Sequence, residues 1–276
     1  MRPPRQKVQE LRANTINDND GTGTSYEELV KSNWGFISAE SQEKIRHSRV
    51  LLAGCGLGSN IAVLAARSGF TKFVLADGDR VELSNLNRQT FRLEHLGVNK
   101  AEVVARLVYE INPQAEVDTF SQFITTKEEI NALIAKADLL VNMVDPGPTL
   151  YWLNETACMQ GKPVFFPLNI GFGGAVLVFC HTSSTLEQIL ASEDNKKPKE
   201  FFLRLVEKLA PFLPSYIQEH MAIRERLLKS DAAMPQLGIA AYLTAALTVT
   251  TMIKLTLGIP VETAPYPITL DSWEST

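Results

Sequence analysis

Residues 49–89, RVLLAGCGLGSNIAVLAARSGFTKFVLADGDRVELSNLNRQ, decide the fold of this chain. Val50–Ala53 is an apolar run of strand length, Gly54-Cys55-Gly56-Leu57-Gly58 is a glycine turn, Ser59–Ser68 is helical in composition, and Phe73–Ala76 is a second apolar strand ending on Asp77. That order predicts one βαβ unit. A strand that turns straight into a helix needs backbone without Cβ, and the helix's positive N-terminal end then lies open to a phosphate or ribose. Asp77, about twenty residues past the turn, stands where a carboxylate accepts hydrogen bonds from ribose hydroxyls. Alone, the turn is compatible with a dehydrogenase, a flavoprotein or a purely structural bend. Ser59 stands where the dinucleotide fingerprint has its third glycine or alanine.

The residues beyond Asp77 narrow the choice. Asp77-Gly78-Asp79 is followed by Val81-Glu82-Leu83-Ser84-Asn85-Leu86-Asn87-Arg88-Gln89, then Gly97 and Lys100, and later Asp138-Leu-Leu-Val-Asn142-Met-Val-Asp145. A polar stretch this long between a strand and a helix is more typical of a functional loop than of a connector. Arg88 and Lys100 bring positive charge suited to phosphates, while Asn85 and Gln89 add neutral hydrogen bonds. Asp138–Val144 is almost wholly apolar, as a parallel strand buried on both faces must be. Asp145 falls at its carboxyl end, where open α/β sheets bind ligands. A helix N-cap before Thr149–Gln160 is the other job open to that aspartate.

Taken together, these motifs resemble the adenylating family of ThiF, MoeB and the ubiquitin-activating enzymes, over roughly Ala39 to Gly258. The resemblance implies a Rossmann-like α/β fold: a mostly parallel sheet with helices on both faces, extended by antiparallel strands. It also implies an ATP-dependent adenylyltransferase, with ATP and Mg²⁺ as cofactors. Gly54, Gly56, Gly58, Asp77, Asp79, Asn85, Arg88, Gln89 and Lys100 would hold the nucleotide. Arg88, Lys100 and Asp145 would serve catalysis, and Asp145 would hold the metal. A homodimer is implied, with a carboxylate substrate such as a ubiquitin-like carrier, a precursor peptide or a carboxylated group on tRNA. Two other readings stay open: a non-catalytic nucleotide-binding scaffold of the same fold, and a NAD- or FAD-dependent oxidoreductase, in which Asn85–Gln89 has no job.

The chain departs from the family where an arginine-rich motif precedes the first strand: Asn33-Trp34-Gly35-Phe36-Ile37 stands there instead. An arginine aimed at phosphates stabilises charge that develops in the transition state, so its replacement is left unassigned. The three cysteines, Cys55, Cys158 and Cys180, form no CxxC pair, and none lies in the crossover segment of about 181–232 that carries a thioester cysteine in many relatives. That pattern points to adenylation without a thioester relay. Cys180 is the one candidate thiol near that segment, and half-buried thiols are usually inert without an activating neighbour.

With 276 residues and 45% hydrophobic content, the chain can bury a large core. A net charge of −4 with dispersed signs speaks against a nucleic-acid surface. Unpaired cysteines and the absence of an apolar leader make a reducing, cytoplasmic setting the expectation. Residues 1–30 are polar and aperiodic and are expected to form a flexible arm, with 31–276 as the adenylation domain. Leu237–Ile253 carries no formal charge. Its Ala, Thr, Gly and Tyr content favours a buried helix over a membrane span. Pro163–Asn169 and Ala175–Phe179 should flank a tight glycine hairpin, and Pro267–Trp273 should add an edge strand.

Overall fold

The computed structural model describes residues 25–190, 198–220 and 234–274. Seven strands form one sheet in the order β3-β2-β1-β4-β5-β6-β7. They are β1 Arg49–Ala53, β2 Lys72–Ala76, β3 Glu116–Phe120, β4 Leu139–Asn142, β5 Val164–Ile170, β6 Gly173–Phe179 and β7 Ile268–Asp271. The first five run parallel; β6 and β7 are antiparallel. This is the expected Rossmann-like sheet with its antiparallel extension.

Side chains alternate across each strand, so β1 sends Val50 and Leu52 to one face and Leu51 and Ala53 to the other. The first face packs on α2 (Ala39–His47), α3 (Gly56–Arg67), α4 (Lys100–Ile111) and α10 (Gly238–Thr256). The second packs on α5 (Lys127–Ala135), α6 (Pro148–Met159), α7 (Leu186–Leu190), α8 (Pro198–Leu209) and α9 (Ser215–His220). Helix α10 is long and apolar enough to cross a membrane by composition, yet it lies against β5, β6 and α3 with Ala241, Thr244, Ala245, Thr248, Val249 and Met252 buried. It is a core helix, as its small and hydroxylated residues suggested.

Several boundaries differ from expectation. Residues 25–30 are no part of an arm: α1 (Tyr26–Val30) is capped by the Ser25 hydroxyl, and buried Tyr26 donates to Gly69 O at 2.9 Å. Residues 1–24 of the expected arm lie outside the described residues. Helix α3 begins at Gly56 rather than Ser59, so two of the turn's glycines are already helical. Strand β4 stops at Asn142, and α6 takes Gly147 as its N-cap position, so Asp145 caps no helix.

The pairing of β5 shapes what lies above the sheet. It touches β4 only through Leu140↔Val164 and Val141↔Phe165, then runs on past the end of β4. Its hairpin partner β6 pairs Ile170 with Gly173 across the two-residue turn Gly171-Phe172. In such a hairpin the pair next to the turn is hydrogen-bonded, so even-numbered β5 residues bond β6 and odd-numbered ones face the β4 side. Leu140 N donates to Pro163 O, in agreement. Among the described residues the β4 side of β5 beyond Phe165 is therefore an open edge, and Pro167 stands where no ladder donor is needed.

Candidate functional site

A cavity of about 460 Å³ lies over the carboxyl ends of β1, β2 and β4 and along the open edge of β5. Its volume falls within the range of small-molecule sites. Of the residues singled out from the sequence, Gly54, Gly56, Asp77, Asp79, Asn85, Arg88, Gln89, Lys100 and Asp145 line it. Gly58 does not. A Cβ there would meet Met143 Cε at 2.9 Å, so Gly58 lets α3 settle on the sheet and touches no ligand space.

The turn is built for close approach. Gly54 N donates to Ala76 O and Met143 N to Ala53 O, each at 2.8 Å, which pins the tip of β1 between its neighbours. Gly54 has φ +97°, and a Cβ on it would stand 2.7 Å from Met143 O. Both the conformation and the space require glycine. Gly56 differs: a Cβ there would lie 3.0 Å from Gln89 Nε2, the mobile end of a side chain.

Acid and base lie together beside this turn. Asp77 Oδ2 accepts from Cys55 N at 2.6 Å and Oδ1 from Asp79 N at 2.8 Å. Burial nonetheless raises its pKa above the ordinary aspartate value, against the pull of those donors and of Lys100. Lys100 is held at the first turn of α4, its Nζ donating to Asp79 Oδ2 at 3.0 Å and its side chain only 11% exposed. Asn99 caps that helix through Glu102 N and ties it to β2 by donating to Asp77 O at 2.9 Å. Asn85 is buried and accepts from Glu82 N at 3.0 Å, so it shapes the loop that carries Arg88. Asp145 is exposed on the cavity wall.

Two buried acceptors in the cavity wall, Gln89 Oε1 and Asn169 Oδ1, have no hydrogen-bond partner among the described residues. A buried unmade bond costs about 1–3 kcal/mol, so a ligand donor is favoured at each. The sequence reading missed Asn169, Gln236 and the apolar wall of Phe166, Leu168, Ile170, Phe202 and Val206. Gln236 had a signal in Met234-Pro235-Gln236-Leu237-Gly238 before α10, but its partner Arg88 lies far away in the chain. Cys180 lies outside the lining. Partial burial raises its thiol, yet hydrogen bonds involving Thr182 and Ser183 bring it below the ordinary value. Burial pushes Cys158 up to about 11. Trp34 and Phe36, where the expected arginine motif is missing, are 81% and 97% exposed.

The fold and the place of the cavity define a Rossmann-like α/β domain with its ligand space at the topological switch of the sheet, next to a glycine turn. More particularly, the chain belongs to the ThiF family, whose profile matches residues 29–276. It is similar to the sulfur carrier protein adenylyltransferase of Thermus thermophilus, 31% identical over 147 residues that make up 52% of this chain and 54% of that one. The match thus spans about half the length of that relative. Among solved structures, PaaA superposes with a TM-score of 0.66 at 19% identity, covering 98% of this chain and 88% of that chain. Escherichia coli MccB with ATP gives 0.62 at 20% identity, covering 86% and 64%. These two likenesses concern the fold.

Proposed function

We propose that this chain is an ATP-dependent adenylyltransferase that activates a carboxylate as an acyl-adenylate and releases pyrophosphate. The observation that carries the reading is the convergence of the glycine turn, Asp77, Asn85, Arg88, Gln89, Lys100 and Asp145 on one cavity. The residues fit the nucleotide: Gly54 and Gly56 clear the approach, the α3 N-terminus offers backbone donors, and Asp77 can accept from ribose hydroxyls. The orphaned acceptors offer further places for its donors. Lys100 would release Asp79 for a phosphate oxygen, and Arg88 would hold charge on the transferring group. Bound Mg²⁺ would screen phosphate charge. One carboxylate at Asp145 suffices for an ion that keeps waters and phosphate ligands.

Two observations support a peptide carboxyl terminus as substrate. The open edge of β5 presents Pro167 O and the backbone of Asn169 to the cavity, as strand addition requires. The apolar wall beside it suits uncharged side chains. MccB was solved with the peptide MccA, and the Thermus relative is named for a sulfur carrier protein. A homodimer is supported by the apolar Leu83, Leu93, Ile239 and Tyr242, exposed on the site loop and the start of α10. Three free thiols and the use of ATP fit a reducing cytoplasm. A scaffold without catalysis is the second reading, favoured by Trp34 and Phe36 where the arginine motif would stand.

Pyrophosphate release from Mg-ATP, with capped peptides and small acids as acceptors and Asp145→Ala as control, tests this. Pyrophosphate and AMP that appear with wild type and vanish in the control are expected. ATP binding without pyrophosphate across a broad acceptor panel would favour the scaffold, and binding of NAD or a flavin in place of ATP would sink both.

A further inference from the structure

Arg88 sits in an unusual setting for a guanidinium. It is half-buried, and desolvation lowers its pKa from the ordinary arginine value. Among the described residues all its partners are neutral acceptors: Nη1 donates to Ser84 O at 2.9 Å and Asn87 Oδ1 at 2.8 Å, and Nε donates to Gln236 Oε1 at 2.9 Å. Among the described residues Nη2 has no partner, on a side chain that lines the cavity. Among those residues no carboxylate neutralises the charge, which is held in place by neutral acceptors alone.

Gln236 is the part of this clamp that comes from elsewhere in the chain, just before α10. Its backbone O accepts from Asn87 Nδ2 at 3.2 Å, so both ends of the residue grip the Asn87-Arg88 corner. The approach depends on Gly238, where a Cβ would stand 2.6 Å from Asn87 O. Gln236 Oε1 also accepts from Asn169 Nδ2 at 3.4 Å. Because a guanidinium can only donate, it fixes which end of the Gln236 amide faces it, and that in turn fixes the Asn169 amide, leaving its Oδ1 the orphan.

We propose that Gln236 is a positioning residue for phosphate recognition: its neutral side chain locks the Arg88 guanidinium with Nη2 towards the phosphates and leaves the positive charge available to them. A carboxylate in its place would hold the same geometry and cancel the charge. An apolar isostere would keep the charge and release the geometry. This rests on the ATP reading above, and the experiment separates the two.

The test combines Gln236→Met, Gln236→Glu and Arg88→Ala with calorimetric binding of ATP and of adenosine, and with NMR of the Arg88 Nε–H. Gln236→Met should weaken ATP about tenfold, leave adenosine within about twofold, and add nothing in the Arg88→Ala background. Gln236→Glu should weaken ATP as well while keeping the Nε–H protected from solvent exchange; Gln236→Met should lose that protection. Equal losses for ATP and adenosine, or additive losses in the double variant, would assign Gln236 a merely structural role and overturn the inference. Wild type that binds no ATP but shows the protected Nε–H would fail the ATP reading and with it the phosphate role, while the clamp itself stands. An unprotected Nε–H in wild type that binds ATP would overturn the clamp alone.

Discussion

The two walls of the cavity were built under different constraints. The early wall, from Gly54 to Asp145, consists mainly of strand tips and the loop after β2, and is mainly polar, with Asp77 capped by backbone donors and Lys100 paired with Asp79. The late wall, from Phe166 to Gln236, is the open edge of β5, a face of α8 and the approach to α10, and is mainly apolar. Phosphates and ribose demand particular donors and acceptors at set distances. An organic substrate demands shape, which many side chains can supply. Chemistry is therefore visible at the first wall and geometry at the second.

The largest way to break the contrast is Gly54→Ala. A Cβ in the left-handed region and against the Met143 carbonyl should cost roughly 3 kcal/mol or more, lowering Tm by about 6–12 °C in thermal unfolding. Gly56→Ala, which meets only the end of Gln89, should leave Tm within about 2 °C while weakening nucleotide binding. A Tm equal in the two variants would show that the turn is not held by β4.

Next in size is Lys100→Met. It removes a cation from the early wall and should lower kcat/KM for pyrophosphate exchange about a hundredfold, about 2.7 kcal/mol, with little loss of fold. A loss confined to the KM of the acid would move Lys100 to the other side of the reaction. Phe202→Ala sharpens the contrast from the opposite wall. ATP affinity should stay within about twofold, while KM for an apolar carboxylate rises about tenfold, about 1.4 kcal/mol. Parallel changes in both constants would mean that the two walls act as one site.

The smallest expected effect concerns what anchors the late wall. Glu274 accepts from Ser215 Oγ at 2.6 Å, Ser215 N at 3.1 Å and Tyr216 N at 3.3 Å, and those bonds, the hydroxyl's foremost, hold its carboxyl below the ordinary glutamate value of 4.5. Because the folded value is depressed, the contribution is present above the unfolded value and is lost as pH falls through the folded one. Hydrogen exchange at Ser215 and Tyr216 should accordingly lose protection below about pH 4.5 in wild type, and at all pH values in Glu274→Ala. Protection that is independent of pH would assign the docking of α9 to packing alone.

Much of the early wall was legible because its residues are close in sequence. The βαβ unit follows from apolar runs broken by glycine, and Lys100 was legible from its place after the polar loop, whereas the Asn99 cap behind which it opens α4 was not singled out from the sequence. Gly58 is instructive in the other direction. It sits in the same glycine run as Gly54 and Gly56, yet in the structure it faces Met143 and Leu52, because α3 starts inside the turn and rotates that position towards the sheet. Periodicity shows that a helix exists, and its first residue depends on the loop that precedes it.

By itself the sequence determined the parallel sheet, the glycine turn, the polar loop after β2 and the core role of α10, because local residue chemistry and spacing constrain each of them. Tertiary structure alone decided which faces of those elements meet. It set the length by which β5 outruns β4, placed Gln236 on Arg88 and left Asn169 Oδ1 unpartnered among the described residues, because contacts between segments far apart in the chain have no local pattern and are fixed only when the sheet and its helices pack.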